Sequence, residues 1–209
     1  MSKPRKRTRI EDIRRRELIH AAHRVFCVHG LAGMTTARIC AEAGMSPGIL
    51  AYYFKGKQDA LFQMVRFNNR ILAEEVVVRL NTANGRWERL IAVVEGNFPE
   101  QAYDRPTANA WLSVCAAAAT NPEYARLQSC FYRRLASNLG ACLRPALDAD
   151  RLHYLVLTIG VMIDGLWLRK ATDDAITREQ AVRLILRHLD NSLTAAERAK
   201  LQGHDLPAP

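Results

Sequence analysis

Apolar residues recur at helical spacing along almost the whole chain. Leu18, Ala22, Val25 and Phe26 follow the i, i+4, i+7, i+8 pattern of a helix with one buried face, and Asp12 stands where its N-cap is expected. Leu61, Val65, Leu72, Val76 and Leu80 form one stripe of a long helix over about 58–80. At ~1.5 Å per residue such a helix reaches about 35 Å, enough to join two separately packed regions. The cluster NTANG at 81–85 breaks it. Trp87, Leu90, Ile91, Val94 and Phe98 trace the next helix, ended by Pro99. Residues 107–119 are apolar nearly all round, the mark of a central helix. Asn121-Pro122 opens a helix running to about Arg144, and two more span about 150–171 and 178–193. Thr177 and Gln180 make a capping box for the last, whose stripe is Val182, Ile185, Leu186, Leu189 and Leu193. No stretch alternates as a strand does, and no repeat is evident.

One segment is patterned differently. Residues 35–57, TTARICAEAGMSPGILAYYFKGK, read as two short helices joined by a tight turn. Ile39, Cys40 and Ala43 share a face, and the small Cys40 lets a second helix cross closely. Gly44 is suited to the left-handed conformation that ends a helix. Ser46 is expected to cap the next helix with Pro47 at its first position, where a missing N–H costs nothing. Gly48 adds no bulk, leaving room for a phosphate backbone. Leu50 and Phe54 point inward, so Ile49, Ala51, Tyr52 and Tyr53 compete for the outer surface. This pattern predicts a helix-turn-helix, although an ordinary helical hairpin would share the turn.

Charge separates the two. Residues 1–60 hold 12 Lys and Arg against 5 Asp and Glu, whereas residues 61–209 hold 18 against 16, so +7 of the net +9 lies around the motif. Phosphate binding requires that concentration. Arg14, Arg15 and Arg16 sit at the N-terminal end of the first helix, where its dipole disfavours cations, which fits an external anion. Residues 1–11, MSKPRKRTRIE, have no apolar period; they are expected to form a basic arm, either reaching a minor groove or solvated as a tail.

These residues carry a resemblance. LIHAAHRVFCVHG at 18–30 and the 35–57 segment with its YYFKGK ending resemble the DNA-binding domain of TetR-type one-component transcriptional repressors, over roughly residues 13–65. GNF at 96–98, AWL at 110–112, RRL and SNL within 133–139, and IDGLWLR at 163–169 are similar to a choline-responsive branch of that family, which controls glycine-betaine synthesis. The chain departs from that branch at Cys115, where a second tryptophan is expected, and in its longer basic N-terminus. The resemblance implies an all-α fold: a three-helix DNA-binding domain with a helix-turn-helix, then a roughly six-helix bundle for ligand binding and dimerisation. It implies double-stranded operator DNA as partner and a homodimer built from the last two long helices, with Val182, Ile185, Leu186 and Leu189 between subunits. Tyr53 and Lys57 are expected on phosphates, as are Thr36, Ser46 and Gly48 through hydroxyls or backbone N–H groups. Pro47 and Tyr52 belong to the same surface. Ile49 and Ala51 offer apolar base contact, and Arg38 a charged one. The expected division is 1–11 arm, 12–57 DNA-binding domain, 58–194 ligand and dimer domain, and 195–209 loose tail.

Within the bundle one polar residue stands out. Asp164 lies inside YLVLTIGVMIDGLWL, where an ionised carboxylate is unfavourable unless paired. Trp167 is on its helical face and Trp111 on the other strongly apolar helix. An acid with two indoles suits a quaternary ammonium such as choline through charge and cation–π attraction; the competing reading is a core Asp bonded to a buried Arg or Tyr, with both indoles as packing. Cys115, Asn97, Phe98 and Tyr103 are further pocket candidates.

Other classes have little support. No G-x-S-x-G, H-E-x-x-H, Walker or dinucleotide glycine motif is present, so neither an enzyme nor a cofactor is expected. His20 and His23 lack further ligands nearby, so no metal is expected either. Cysteines 27, 40, 115, 130 and 142 form no Cys-x-x-Cys pair and read as reduced thiols of a cytoplasmic protein. No apolar run follows the basic start as in a secretory signal. The longest apolar stretch, Tyr154 to Ile163, is well short of the ~20 residues of a membrane span. Two alternatives stay open: the same fold of repressor answering an uncharged apolar ligand, and a constitutive DNA-binding protein without effector.

Overall fold

Residues 4–33 form nearly one helix, α1 (Pro4–Gly33), interrupted at Gly30, whose φ of 62° only glycine adopts freely. The structure is a computed structural model and describes residues 4–173 and 175–203. Nine helices follow among the described residues: α2 (Thr36–Glu42), α3 (Ile49–Tyr53), α4 (Lys57–Thr82), α5 (Arg86–Gly96), α6 (Arg105–Ala118), α7 (Pro122–Leu143), α8 (Ala149–Thr172), α9 (Arg178–Ser192) and α10 (Ala195–Gln202). The described residues contain no strand. Six starts carry a side-chain cap: Thr35, Asp104, Asn121, Asp148, Thr177 and Thr194 each accept a backbone N–H of the first turn.

Two expectations for the chain ends are corrected. Asp12 does not cap α1, which is already helical from Pro4. Arg, Lys and Glu are good helix formers, and once a helix is nucleated each further residue adds a hydrogen bond without an apolar face. The C-terminal segment is not loose throughout: Thr194 and Glu197 form a second capping box, Leu201 is buried, and Gly203 (φ 77°) ends α10. Arg151 of α8 pairs with Glu197, and Arg198 with Asp190 at 2.9 Å. Residues 1–3 of the expected arm and 204–209 of the expected tail lie outside the described residues.

Two hydrophobic cores are joined by shared helices. The first gathers Leu18, Phe26, Ile39, Cys40, Leu50, Phe54, Leu61 and Met64, and receives Ala110 and Val114 of α6 and Tyr124 of α7. The second gathers Val76, Leu90, Val93, Phe98, Leu139, Leu143, Ile159, Ile163, Ile185 and Leu189. Burying each such large side chain stabilises by ~1.5–3 kcal/mol. Helix α4 gives its first half to one core and Val76 to the other, so packing runs on across the expected boundary at 57/58. Helix α5 meets α4 closely because Gly96 has no side chain: a Cβ there would lie 2.6 Å from Val76 Cγ2.

The expected inter-subunit stripe is corrected as well. Val182, Ile185 and Leu189 are buried in the chain's own core, and Leu186 packs partly against it. Helix α9 spends that face on α5 and α8, so it is not free for a second subunit. Helix α8 leaves a row of apolar side chains uncovered: Tyr154, Leu157, Val161 and Leu168 are 68, 57, 63 and 46 % exposed, and Leu184 of α9 is 48 % exposed. Apolar residues on both its inner and outer faces make α8 long and apolar enough to cross a membrane by length and composition, unlike the short stretch read from sequence.

Candidate DNA-contacting surface and effector cavity

The helix-turn-helix is built as its residues dictate. Thr35 Oγ1 accepts the Arg38 N–H, starting α2. Gly44 takes φ 64° after α2, and the Met45 N–H returns to the Cys40 carbonyl at 2.8 Å. Leu50 and Phe54 turn inward, while the Cys40 thiol donates to the Pro47 carbonyl at 3.6 Å, holding the two short helices together. One detail differs from expectation: the Ser46 side chain does not cap α3. The Ser46 carbonyl instead accepts the Ile49 N–H at 3.0 Å, placing Pro47 and Gly48 in a turn before α3. A tight turn satisfies the same orphan donor that a side-chain cap would.

The outward surface collects most of the expected residues. Ser46, Pro47, Gly48, Ala51 and Tyr52 are exposed; Thr36, Ile49, Tyr53 and Lys57 are half-buried. A Cβ at Gly48 would touch nothing within 4 Å. Arg38 is exposed, but its Nη1 donates to the Gly33 carbonyl at 2.6 Å, tying it to the end of α1. Glu11 was not foreseen: its carboxylate accepts the Tyr52 hydroxyl at 3.1 Å. Arg24 and Glu42 pair at 2.5 Å, linking α1 to α2.

A cavity of about 880 Å³, its open mouth included, lies where α1, α4, α6, α7 and α8 converge. Phe26, Trp111, Phe131 and Trp167 supply aromatic walls, while His23, Asn68, Asn69, Asn97 and Thr107 add polar atoms. The aromatic walls are fixed from behind. Trp167 donates its indole N–H to the Asn97 carbonyl at 3.2 Å, lies parallel to Phe98, and meets the edge of Tyr103 at 5.0 Å between centroids. Arg178 donates to the Phe98 carbonyl at 2.6 Å, fastening the same loop to α9. Trp111 packs on Phe131 at 5.4 Å.

The expected pocket residues therefore divide. Asn97, Trp111 and Trp167 line the cavity; Phe98 and Tyr103 are buried in support of Trp167. Asp164 and Cys115 are not among the lining residues. Asp164 Oδ2 accepts the Tyr132 hydroxyl at 2.6 Å, Gln128 donates to Tyr132 and to Cys115, and Asp164 Oδ1 is buried without a partner. Burial raises the Asp164 carboxyl above its usual range, against the Tyr132 hydrogen bond. Burial, then the charge of Asp164, pushes the Cys115 thiol up to about 11. Burial and the Asp164 bond raise the Tyr132 phenol too.

Asn68, Asn69, His23 and Phe131 were missed as lining residues. Asn68 and Asn69 did leave a signal, since they interrupt the α4 stripe between Val65 and Leu72 where an apolar residue belongs. The two histidines part company: His20 packs on Phe67, whereas His23 pairs with Cys27 at 3.4 Å and is held below its usual pKa mainly by burial. Among the described residues no group of three metal ligands occurs.

Comparison with known proteins agrees with this arrangement. The model for bacterial regulatory proteins of the tetR family matches residues 18–64, and that for the C-terminal domain of BetI-type transcriptional repressors matches 86–194. The chain belongs to the TetR family. A TetR-family relative from Brucella abortus, the HTH-type transcriptional regulator BetI, is 34 % identical over 177 residues, 84 % of this chain and 89 % of that protein. A transcriptional regulator of Pseudomonas aeruginosa PAO1 is 25 % identical with a TM-score of 0.75, covering 90 % of this chain and 93 % of its own. Another, from Saccharomonospora viridis and solved in complex with choline, has a TM-score of 0.73 at 22 % identity, over 84 % and 95 % of the two chains. That last likeness shows the shared fold. As a TetR-family member the chain is a DNA-binding transcription regulator and not an enzyme.

Proposed function

We propose that this protein is a homodimeric repressor of the cytoplasm that leaves its operator when choline, or a closely related quaternary amine, fills the cavity. The observation that carries the reading is the cavity itself, an aromatic chamber that touches both α1 of the DNA-binding end and α6 and α8 of the body. Aromatic faces attract a quaternary ammonium by ~2 kcal/mol or more when water is excluded. The relationship to regulators named BetI supports a role in glycine-betaine synthesis.

The route from ligand to DNA follows the packing. Helix α6 presents Trp111 to the cavity and inserts Ala110 and Val114 into the core formed by α1 to α4. A ligand that pushes α6 and α4 apart tilts the DNA-binding end, and the two recognition helices of the dimer then no longer match major grooves ~34–36 Å apart. Coupling requires only that the ligand prefer one of the two spacings. On the DNA, Thr36, Ser46, Gly48, Tyr53 and Lys57 contact phosphates; Ile49 and Ala51 meet base edges, flanked by Arg38, Pro47 and Tyr52. The residues up to 57 act as the DNA-binding part, and 58–194 as the ligand and dimer part. The exposed apolar stripe of α8, with Leu184 of α9, forms the dimer contact.

A second reading has its own observation. No carboxylate lines the cavity among the described residues, which suits an uncharged apolar ligand on the same repressor. Operator release measured by fluorescence anisotropy tests the choice. Choline is expected to dissociate the complex, and Trp111→Ala to weaken choline at least about tenfold, the equivalent of ~1.4 kcal/mol. An operator complex indifferent to choline at every concentration removes the quaternary amine.

A further inference from the structure

Asn68 sits on the inward stripe of α4, and its Oδ1 is buried without a hydrogen-bond partner. A buried amide oxygen is unfavourable unless something donates to it. Several neighbouring polar groups of the cavity are already occupied. Asn97 Nδ2 donates to the Val93 carbonyl at 2.7 Å, the Trp167 indole N–H to the Asn97 carbonyl, and His23 Nε2 meets the Cys27 thiol. Asn68 thus lines the same chamber as Phe26, Trp111, Phe131 and Trp167, and its buried Oδ1 has no partner within the protein.

We propose that Asn68 is a specificity-determining residue of the effector site: it accepts a hydrogen bond from a hydroxyl or N–H of the ligand, whose compact apolar or quaternary end lies among the tryptophans. This rests on the cavity being the effector site. The class of ligand is then a short alcohol or amine with a bulky end, and an analogue lacking the donor leaves Asn68 as unsatisfied as it is without ligand. Because Asn68 belongs to α4, the same hydrogen bond fastens the ligand to the helix that carries the DNA-binding end.

Calorimetric titration of the full-length protein tests this with three probes. Choline and ethyltrimethylammonium share the cation and differ only in the hydroxyl oxygen; 3,3-dimethylbutan-1-ol keeps the hydroxyl and replaces the cation by carbon. Wild type is expected to bind choline about tenfold more tightly than ethyltrimethylammonium, the size of one hydrogen bond to a buried group. Asn68→Leu is expected to abolish that preference, to keep ethyltrimethylammonium affinity within about threefold, and to melt no lower than wild type without ligand. Asn68→Asp, which retains an acceptor, restores the preference. Equal binding of choline and ethyltrimethylammonium by wild type overturns the assignment, as does a preference that survives in Asn68→Leu or a variant that weakens both probes equally. If 3,3-dimethylbutan-1-ol binds as choline does, the cationic reading falls and Asn68 stands; if no probe binds, both fall.

Discussion

Replacing Leu157 by Arg separates the two ways α8 and α9 could serve a dimer. Leu157 is 57 % exposed on the outer face of α8, between Tyr154 and Val161. Full burial of such a side chain is worth ~1.5–3 kcal/mol, so covering the exposed part contributes ~1–1.7 kcal/mol. A two-fold dimer counts each residue twice, giving ~2–3.5 kcal/mol for this position alone. The arginine forfeits that gain and must also lose water, at several kcal/mol per unpaired ion. No carboxylate stands one helical turn away, at 153, 154, 160 or 161, to pair with it. The dimer dissociation constant is therefore expected to rise by about 10³-fold or more. Sedimentation equilibrium should show a monomer at micromolar concentration, with circular dichroism unchanged and operator binding lost. Ile185→Arg is the matched control, because Ile185 has no exposure at all and is expected to lose helicity and fold. A Leu157→Arg protein that stays dimeric, or an Ile185→Arg protein that is a well-folded monomer, refutes the assignment of faces.

Three further outcomes follow from single positions. Lys57→Ala should weaken binding to all DNA sequences alike and make the dependence of log affinity on log salt shallower by about one unit, so an unchanged slope removes the phosphate contact. Gly96→Ala would set a Cβ 2.6 Å from Val76 Cγ2 and 2.9 Å from Val76 Cα. Urea melts should show a loss of ~1–3 kcal/mol, relieved only in part by Val76→Ala because the backbone contact remains; a wild-type midpoint would contradict the close approach of α4 and α5. Asp164 holds its proton more tightly folded than unfolded, since burial raises it above the ordinary 3.8. Its contribution to stability is therefore lost as pH rises from just below that value through the raised one. The stability of Asp164→Asn relative to wild type should increase as pH rises above the ordinary carboxyl value of 3.8 in equilibrium unfolding, and a pH-independent difference would count against the burial effect.

Much of the architecture is legible in the sequence because it is local. Helix spacing, the Thr177–Gln180 box, the turn at Gly44 and the inward pair Leu50 and Phe54 depend on residues within one or two turns of each other. So does the Thr194–Glu197 box of α10, a readable signal that the expectation of a loose tail passed over. The excess of cations near the helix-turn-helix is likewise a property of the chain alone. What resisted reading was every choice between two faces that look alike in sequence. Ile185 and Leu157 both sit on apolar stripes, yet one is sealed in the core and the other bare, because the way α8 packs on α6, α7 and α9, and α9 on α5, decides which stripe is covered. Asp164 drew attention as a charge in an apolar run, but the turn of α8 aims it at Tyr132 of α7 while α4 brings Asn68 to the cavity instead. Residues 68 and 164 share no local pattern; only the packing of the helices around the cavity determines which of them a ligand would meet.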